Sequence, residues 1–243
     1  MPLSAGLMEN KKPLVALASF PGSGNTMIRR IIESLTGILV ATNHISTQCS
    51  SSGFSFVIKT HATNFKAGGD DCKNLNVKSL NYFKAIYIIR NPYKAMLAEY
   101  NRSNKLQGTQ IPLISNGTYF GERWKQFVEH GTIRWKETTI FWINSYKKPV
   151  HILFYENILK DRFREVYHLA NFIGVNITFK SLLCTFSKYV EKEKRQFPNQ
   201  AMEVDLFDIY DSGMRSKINS VIVSTMKAVY LKQLKNYILK ENS

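Results

Sequence analysis

Three short stretches of the 243-residue sequence carry residue types suited to chemistry on anions. The first is Phe20-Pro21-Gly22-Ser23-Gly24-Asn25-Thr26. Gly22 and Gly24 permit backbone angles and close approaches denied to other residues, while Ser23, Asn25 and Thr26 can cap a helix and donate hydrogen bonds. A loop of this composition leading into a helix turns successive N–H groups and the positive end of the helix dipole toward one point. That environment suits a phosphate or a sulfonate. An ordinary strand-to-helix turn shares the same outline, so the loop is read together with the other two stretches. It departs from the nucleotide loop G-x-x-x-x-G-K-[ST]: its glycines are closer together and Asn25 stands where a lysine would reach the terminal phosphates, which weighs against an ATPase or kinase.

The second stretch is Lys59-Thr60-His61. Residues two apart in an extended segment face the same way, so a cation and an imidazole are presented side by side. Histidine is the side chain best matched to accepting a proton near neutral pH. A surface lysine beside a structural histidine is the plainer alternative, and the position after a buried strand favours the functional one. The third stretch is Arg90-Asn91-Pro92. Asn91 is a good N-cap and proline is favoured at the first helical position, so Arg90 stands at a helix start where its planar fork can hold a phosphate or join a plain ion pair.

The elements that must position these residues follow from the apolar pattern. Val15–Ala18, Phe54–Lys59, Lys84–Arg90 and Val150–Tyr155 read as strands. Apolar residues recur at helical spacing at Ile28, Ile31, Ile32 and Leu35, at Tyr93, Met96, Leu97 and Tyr100, and at Leu159, Phe163, Val166 and Ala170. Alternating strands and helices predict an α/β fold, a central parallel sheet flanked by helices in three layers, with ligands gathered at the carboxyl ends of the strands. Tyr155-Glu156-Asn157 then reads as a further strand end leading to a capped helix. Trp124, Trp135 and Trp142, with Phe127 and Phe141, read as the core of a helical insert, with His130 among them as a structural histidine and a weaker rival for a base. Residues 101–120 read as a cover over the site, and Ile218–Leu239 as a closing amphipathic helix.

Taken together, "SFPGSGNT", "IKTH", "YIIRNPYKAMLAEYNR" and "FYEN" resemble the sulfotransferases that use 3′-phosphoadenosine-5′-phosphosulfate (PAPS). Within them the chain is most similar to the sulfotransferase domain of the WSC-domain-containing group, animal proteins linked to sulfation of sialic acid. The resemblance runs from about Leu14 to Gly174 and implies a P-loop-like sulfotransferase fold. It implies that Gly22, Ser23, Gly24, Asn25 and Thr26 hold the 5′-phosphosulfate, with Thr26 stabilising the bridging oxygen. It further implies that Arg90 binds the 3′-phosphate, that Tyr155 contacts the adenine side, that His61 is the general base and that Lys59 is a cation near the transferred sulfonate. Transfer would be in line and without a metal. Two positions depart from the wider pattern. Gly22 replaces a lysine or arginine, and Ala98 replaces a serine that helps hold the 3′-phosphate, a contact that is then either missing or supplied by Asn101 or the basic run from Lys192 to Arg195. Both resemble the WSC-type subgroup. The expected acceptor is a hydroxyl of a glycan or glycoprotein; the alternative is a weak or inactive relative that binds anionic glycans.

Composition sets the remaining bounds. The length and a 44% hydrophobic content suit one domain, residues 14–243, after a short extension, 1–13. A net charge of +15 predicts anionic partners, and its lysines are scattered without an arginine-rich arm, which disfavours nucleic acid. No apolar stretch approaches the roughly 20 residues of a membrane span, and Met1–Lys12 lacks the apolar core of a signal peptide. The subgroup implies a Golgi membrane location through an anchor, whereas the sequence as written reads as a soluble chain. Sequons stand at Asn101, Asn116 and Asn176. Cys49, Cys72 and Cys184 have no metal-type spacing and read as three buried thiols, with a Cys49–Cys72 bridge open in an oxidising compartment.

Overall fold

A computed structural model describes residues 13–42, 56–61, 82–106, 121–178, 180–184, 186 and 205–240. Its elements, in chain order, are β1 (Val15–Ser19), α1 (Asn25–Thr36), β2 (Ala41–Thr42), β3 (Val57–Thr60), β4 (Lys84–Ile89), α2 (Pro92–Leu106), α3 (Glu122–Ile140) with a π-helical end (Phe141–Ser145), β5 (Val150–Phe154), α4 (Tyr155–Lys160), α5 (Arg162–Ile173), α6 (Leu206–Ile209), α7 (Ser212–Val229) and a closing 3₁₀ turn (Lys232–Tyr237). The chain folds as two compact units, one from Met1–Ser19, Gly24–Ile89 and Lys147–Lys192, the other from Phe20–Ser23, Arg90–Tyr146 and Glu193–Ser243.

The first unit holds the sheet. Its five strands run in the order β2-β3-β1-β4-β5 and every pairing is parallel. All five residues of the central strand β1 are buried, as an interior parallel strand requires, which explains its unbroken apolar run Val15–Ala18. Leu17 lies beside Ile86 and Lys59 in register, and Ala18 beside Thr60 and Tyr87. Val15, Leu17 and Ile86 pack against Ile28, Ile31 and Ile32 of α1, each 1% exposed or less. A fully buried side chain of this size contributes about 1.5–3 kcal/mol, so this one helix face anchors β1 and the loop between them. The α/β class and the parallel sheet flanked by helices are as the alternation predicts.

Several boundaries differ from the sequence expectation. The second strand begins at Val57 and runs through Thr60, and Phe54 and Ser55 lie outside the described residues. β2, only two residues long, carries no periodicity to betray it. The helix expected around Leu159–Ala170 is two helices. Asp161, with φ −139 and ψ 76, breaks it and accepts a hydrogen bond from the Arg164 backbone, so Leu159 and Phe163 are 54% and 41% exposed while Val166 and Ala170 are buried. A stripe counted across that break mixes two helix faces. Cys184 is exposed, against the expectation of a buried thiol, and Cys49 and Cys72 lie outside the described residues.

The second unit is helical. Trp124, Trp135 and Trp142 are at most 1% exposed, the core expected of the aromatic spacing. The indole of Trp124 donates to the Ile209 carbonyl at 2.8 Å, and the Tyr210 hydroxyl donates to the Tyr93 carbonyl at 2.7 Å. His130 is exposed and its Nδ1 lies 2.8 Å from the Gln126 carbonyl, so it is a surface residue and not part of that core. Residues 101–106, expected in a covering loop, complete α2, and 107–120 lie outside the described residues. The closing helix starts six residues before Ile218 and ends at Val229, because Tyr230 adopts a left-handed φ of 55 and Leu231 is extended.

Candidate active site

In the first unit the polar groups collect where β1 and β3 end. Gly24, with φ 88 and ψ 15, is the N-cap of α1, and no side chain caps the helix. The expectation that Ser23, Asn25 or Thr26 would do so fails because the Asn25 amide turns back toward the sheet. Its Nδ2 donates to the Leu17 carbonyl at 3.0 Å and to Ser19 Oγ at 3.1 Å, and the side chain is buried. Thr26 is exposed, and no acidic residue in the first turn neutralises the positive end of the helix dipole. A Cβ added at Gly24 would stand 2.4 Å from Cε2 of Tyr155, the first residue of α4. Glycine is thus required there both by the backbone angle and by the tyrosine ring lying against it. The capped helix expected after β5 also begins without a side-chain cap, directly at Tyr155.

His61 follows β3, one step past the Ala18–Thr60 pair, which brings it beside Ser19 at the end of β1. Its Nδ1 lies 2.8 Å from the Ser19 carbonyl oxygen and 3.4 Å from Ser19 Oγ. A carbonyl only accepts, so Nδ1 carries the proton of the neutral ring and Nε2 carries the lone pair. This is the tautomer that a base working through Nε2 requires. Lys59, two residues earlier in the strand, is half-buried. Ser19 was not singled out by sequence reasoning; its only signal is a hydroxyl closing an otherwise apolar strand.

In the second unit, Arg90 Nη1 donates to the Gly22 carbonyl at 2.6 Å, and the Trp135 indole donates to the Arg90 carbonyl at 3.1 Å. The Asn91 side chain accepts from the Tyr93 backbone at 3.0 Å and α2 begins at Pro92, the N-cap arrangement its sequence predicts. Gly22, at φ 76, is hemmed in by α2: a Cβ there would stand 2.1 Å from the Ala95 carbonyl oxygen. No side chain fits, least of all a lysine. Ser23 Oγ is buried and makes no hydrogen bond among the described residues. A hydroxyl left so costs about 1–3 kcal/mol, which an anionic oxygen accepting from it would offset. Ala98 is half-buried on α2, and the run from Lys192 to Arg195 lies outside the described residues. Among the described residues no group of three or more His, Cys, Asp or Glu side chains is placed to hold a metal ion.

A sulfotransferase domain profile matches residues 12–227. The chain belongs to the sulfotransferase domain family. Among its relatives are a WSCD family member of Aedes aegypti, 28% identical over 222 residues, and one of Drosophila melanogaster, 26% identical over 225. These alignments cover 86% and 88% of this chain and 64% and 65% of the relatives, so the chain spans less than two thirds of their length. Among solved structures, mouse sulfotransferase SULT7A1 complexed with PAP superposes with a TM-score of 0.61 at 17% identity, covering 93% of this chain and 88% of that one. The fold is that of the sulfotransferases, as the motifs imply.

Proposed function

We propose that this sulfotransferase-family chain moves a sulfonate group from PAPS to a hydroxyl of a glycan such as a sialylated one. The observation that carries the reading is the hydrogen bond from His61 Nδ1 to the Ser19 carbonyl, because it leaves Nε2 with the lone pair that accepts the acceptor hydroxyl's proton. Other residues of the sequence have chemistry that matches this reading. The N–H groups of Gly22 to Thr26, the Thr26 hydroxyl and the Ser23 hydroxyl, which makes no hydrogen bond among the described residues, are candidate donors for the 5′-phosphosulfate, and Arg90 and the Tyr155 ring are candidates for its 3′-phosphate and adenine side. Arg195, in the basic run from Lys192, remains a proposed phosphate contact in place of the serine that Ala98 replaces. Bound PAPS supplies a sulfonate already joined to a good leaving group. The chain's own residues orient the donor, take one proton at Nε2, and set Lys59 as a positive charge for the developing negative oxygens. With Gly22 closed to any side chain, a loop cation has no place at that position.

Calorimetric titration with 3′-phosphoadenosine-5′-phosphate (PAP), the spent donor, tests the donor site, with ATP and AMP as controls. Selective binding lost in Arg90→Ala supports it; no preference for the 3′-phosphate overturns it. The second reading, a protein that binds anionic glycans without transfer, draws on Gly22 and Ala98, two contacts absent relative to the wider pattern. Salt-sensitive glycan binding with no sulfate transfer across an acceptor panel favours it.

A further inference from the structure

Asn25 stands in the loop that the family uses for the donor, yet its amide is committed elsewhere. The Nδ2 group has two hydrogens, and two acceptors take them, the Leu17 carbonyl at 3.0 Å and Ser19 Oγ at 3.1 Å. Both acceptors belong to the last three residues of β1. Ser19 is held on one side by its pairing with Ile88 of β4 and carries, on its own carbonyl, the bond to His61 Nδ1. Beyond Ser19 the chain leaves the sheet for the loop, so this pair is the last of β1. Asn25, six residues on and buried, ties that point back to the helix start.

We infer that Asn25 and Ser19 are positioning residues that set the tautomer and orientation of His61, and that the Asn25 side chain does not bind the donor. The inference rests on the reading of His61 as the base. Its physical content is a chain of three links: the amide of Asn25 holds the Ser19 segment, the Ser19 carbonyl accepts from Nδ1, and Nε2 is thereby left as the basic nitrogen. Loosening the first link lets the end of β1 shift against the ring, and the imidazole can then place its proton on either nitrogen. It also explains why an asparagine is used at this position. A lysine could not donate to two acceptors deep at the strand end without burying a charge, whereas a neutral amide does so at little cost.

The test compares Asn25→Ala and Ser19→Ala with the unaltered chain by three measurements: the nitrogen NMR spectrum of His61, which distinguishes a protonated Nδ1 from a protonated Nε2, kcat for sulfate transfer, and PAP affinity by calorimetry. The expected result is a mixed or Nε2-protonated ring in Asn25→Ala, with kcat down by about ten- to a hundredfold, the scale seen when a group orienting a metal-bound histidine is removed, and PAP affinity unchanged. Ser19→Ala, which keeps the carbonyl and the Leu17 bond, shifts the same spectrum less and guards against a folding defect in the first variant. An unchanged His61 tautomer in both variants overturns the inference. So does a fall in PAP affinity in step with kcat for Asn25→Ala, which would make Asn25 a donor ligand. Because the spectrum needs neither donor nor acceptor, it judges the positioning role even if His61→Ala proves to retain turnover and the base assignment falls.

Discussion

His61 and His151 are both partly buried histidines of the sheet, and their surroundings give them opposite characters. His61 follows the last residue of β3, and its Nδ1 lies against the Ser19 carbonyl, so the ring is oriented and its basic nitrogen defined. His151 is the second residue of β5, stacked on Phe172 with ring centres 5.2 Å apart, and its Nε2 is buried without a hydrogen bond among the described residues. Burial, aided by the nearby His168, pushes its pKa below the ordinary value, so it stays neutral and silent. The glycines divide the same way. Gly22 and Gly24 lie just past the carboxyl end of β1, pressed by Ala95 and Tyr155, whereas Gly37 and Gly174, the C-caps of α1 and α5, have left-handed angles but nothing within 4 Å of an added Cβ. Within the first unit, the end of the sheet with His61 and Gly24 uses polar groups and close packing to hold a geometry; the other simply closes the core.

The largest effect should come from the histidine pair. His61→Ala is expected to lower the rate of sulfate transfer by about 10²–10⁴-fold, the range for removing a general base, while PAP binding survives. His151→Phe should leave the rate unchanged. A steady-state assay of both variants decides it: similar losses would mean that the two ends of the sheet do not differ in role, and a loss of PAP binding in His61→Ala would remove His61 from the part of base.

A glycine pair sharpens the contrast in stability. Gly22→Ala combines left-handed backbone strain with a clash against the Ala95 carbonyl, and should cost about 2–5 kcal/mol and abolish PAP binding. Gly37→Ala meets open space and should cost only the backbone strain, about 1–2 kcal/mol, with PAP binding intact. Urea unfolding and calorimetry on the two variants measure both quantities. A smaller effect is expected at Gly24, where the obstacle is a side chain: Tyr155→Leu should recover part of the stability lost in Gly24→Ala, since the ring edge 2.4 Å from the added Cβ is then gone, and only the strain of φ 88 remains.

How far such differences were visible in the residues alone depends on the range of the pattern that encodes them. The apolar runs of β1, β4 and β5 and the Asn91-Pro92 helix start are local and unambiguous, and the structure reproduces them within a residue or two. Lys59 and His61 were placed at a strand end by the same short-range logic. For Asn25 the sequence leaves the role open, because a polar residue at a helix start has two uses, capping forward or bonding backward, and the choice depends on Ser19 and Leu17 being within reach. The Asp161 break was hidden by apolar residues whose spacing continues a helical stripe across it. That Gly22 excludes every side chain follows only from the backbone of α2, about seventy residues further along the chain, and no local pattern carries it.

The smallest expected effect tests the closed end directly. An unfolded histidine protonates near pH 6.5, whereas His151 in the fold protonates only at lower pH, so below about 6.5 the unfolded chain binds more protons than the folded one. Stability therefore falls as pH drops from about 6.5 toward the folded pKa, and this residue contributes no slope above that window. His151→Phe keeps a ring against Phe172 and removes both the titration and the unpartnered nitrogen, so it should flatten the acid side of the stability profile and leave neutral stability equal or slightly higher. His168→Gln, which removes the second and weaker cause of the shift, should reduce the slope only in part. Thermal unfolding of the three proteins between pH 7 and pH 5 measures the difference. An acid slope that persists unchanged in His151→Phe would show that the neutral histidine of β5 is not what the core pays for at low pH, and the division between the oriented and the sealed end of the sheet would then rest on the glycines alone.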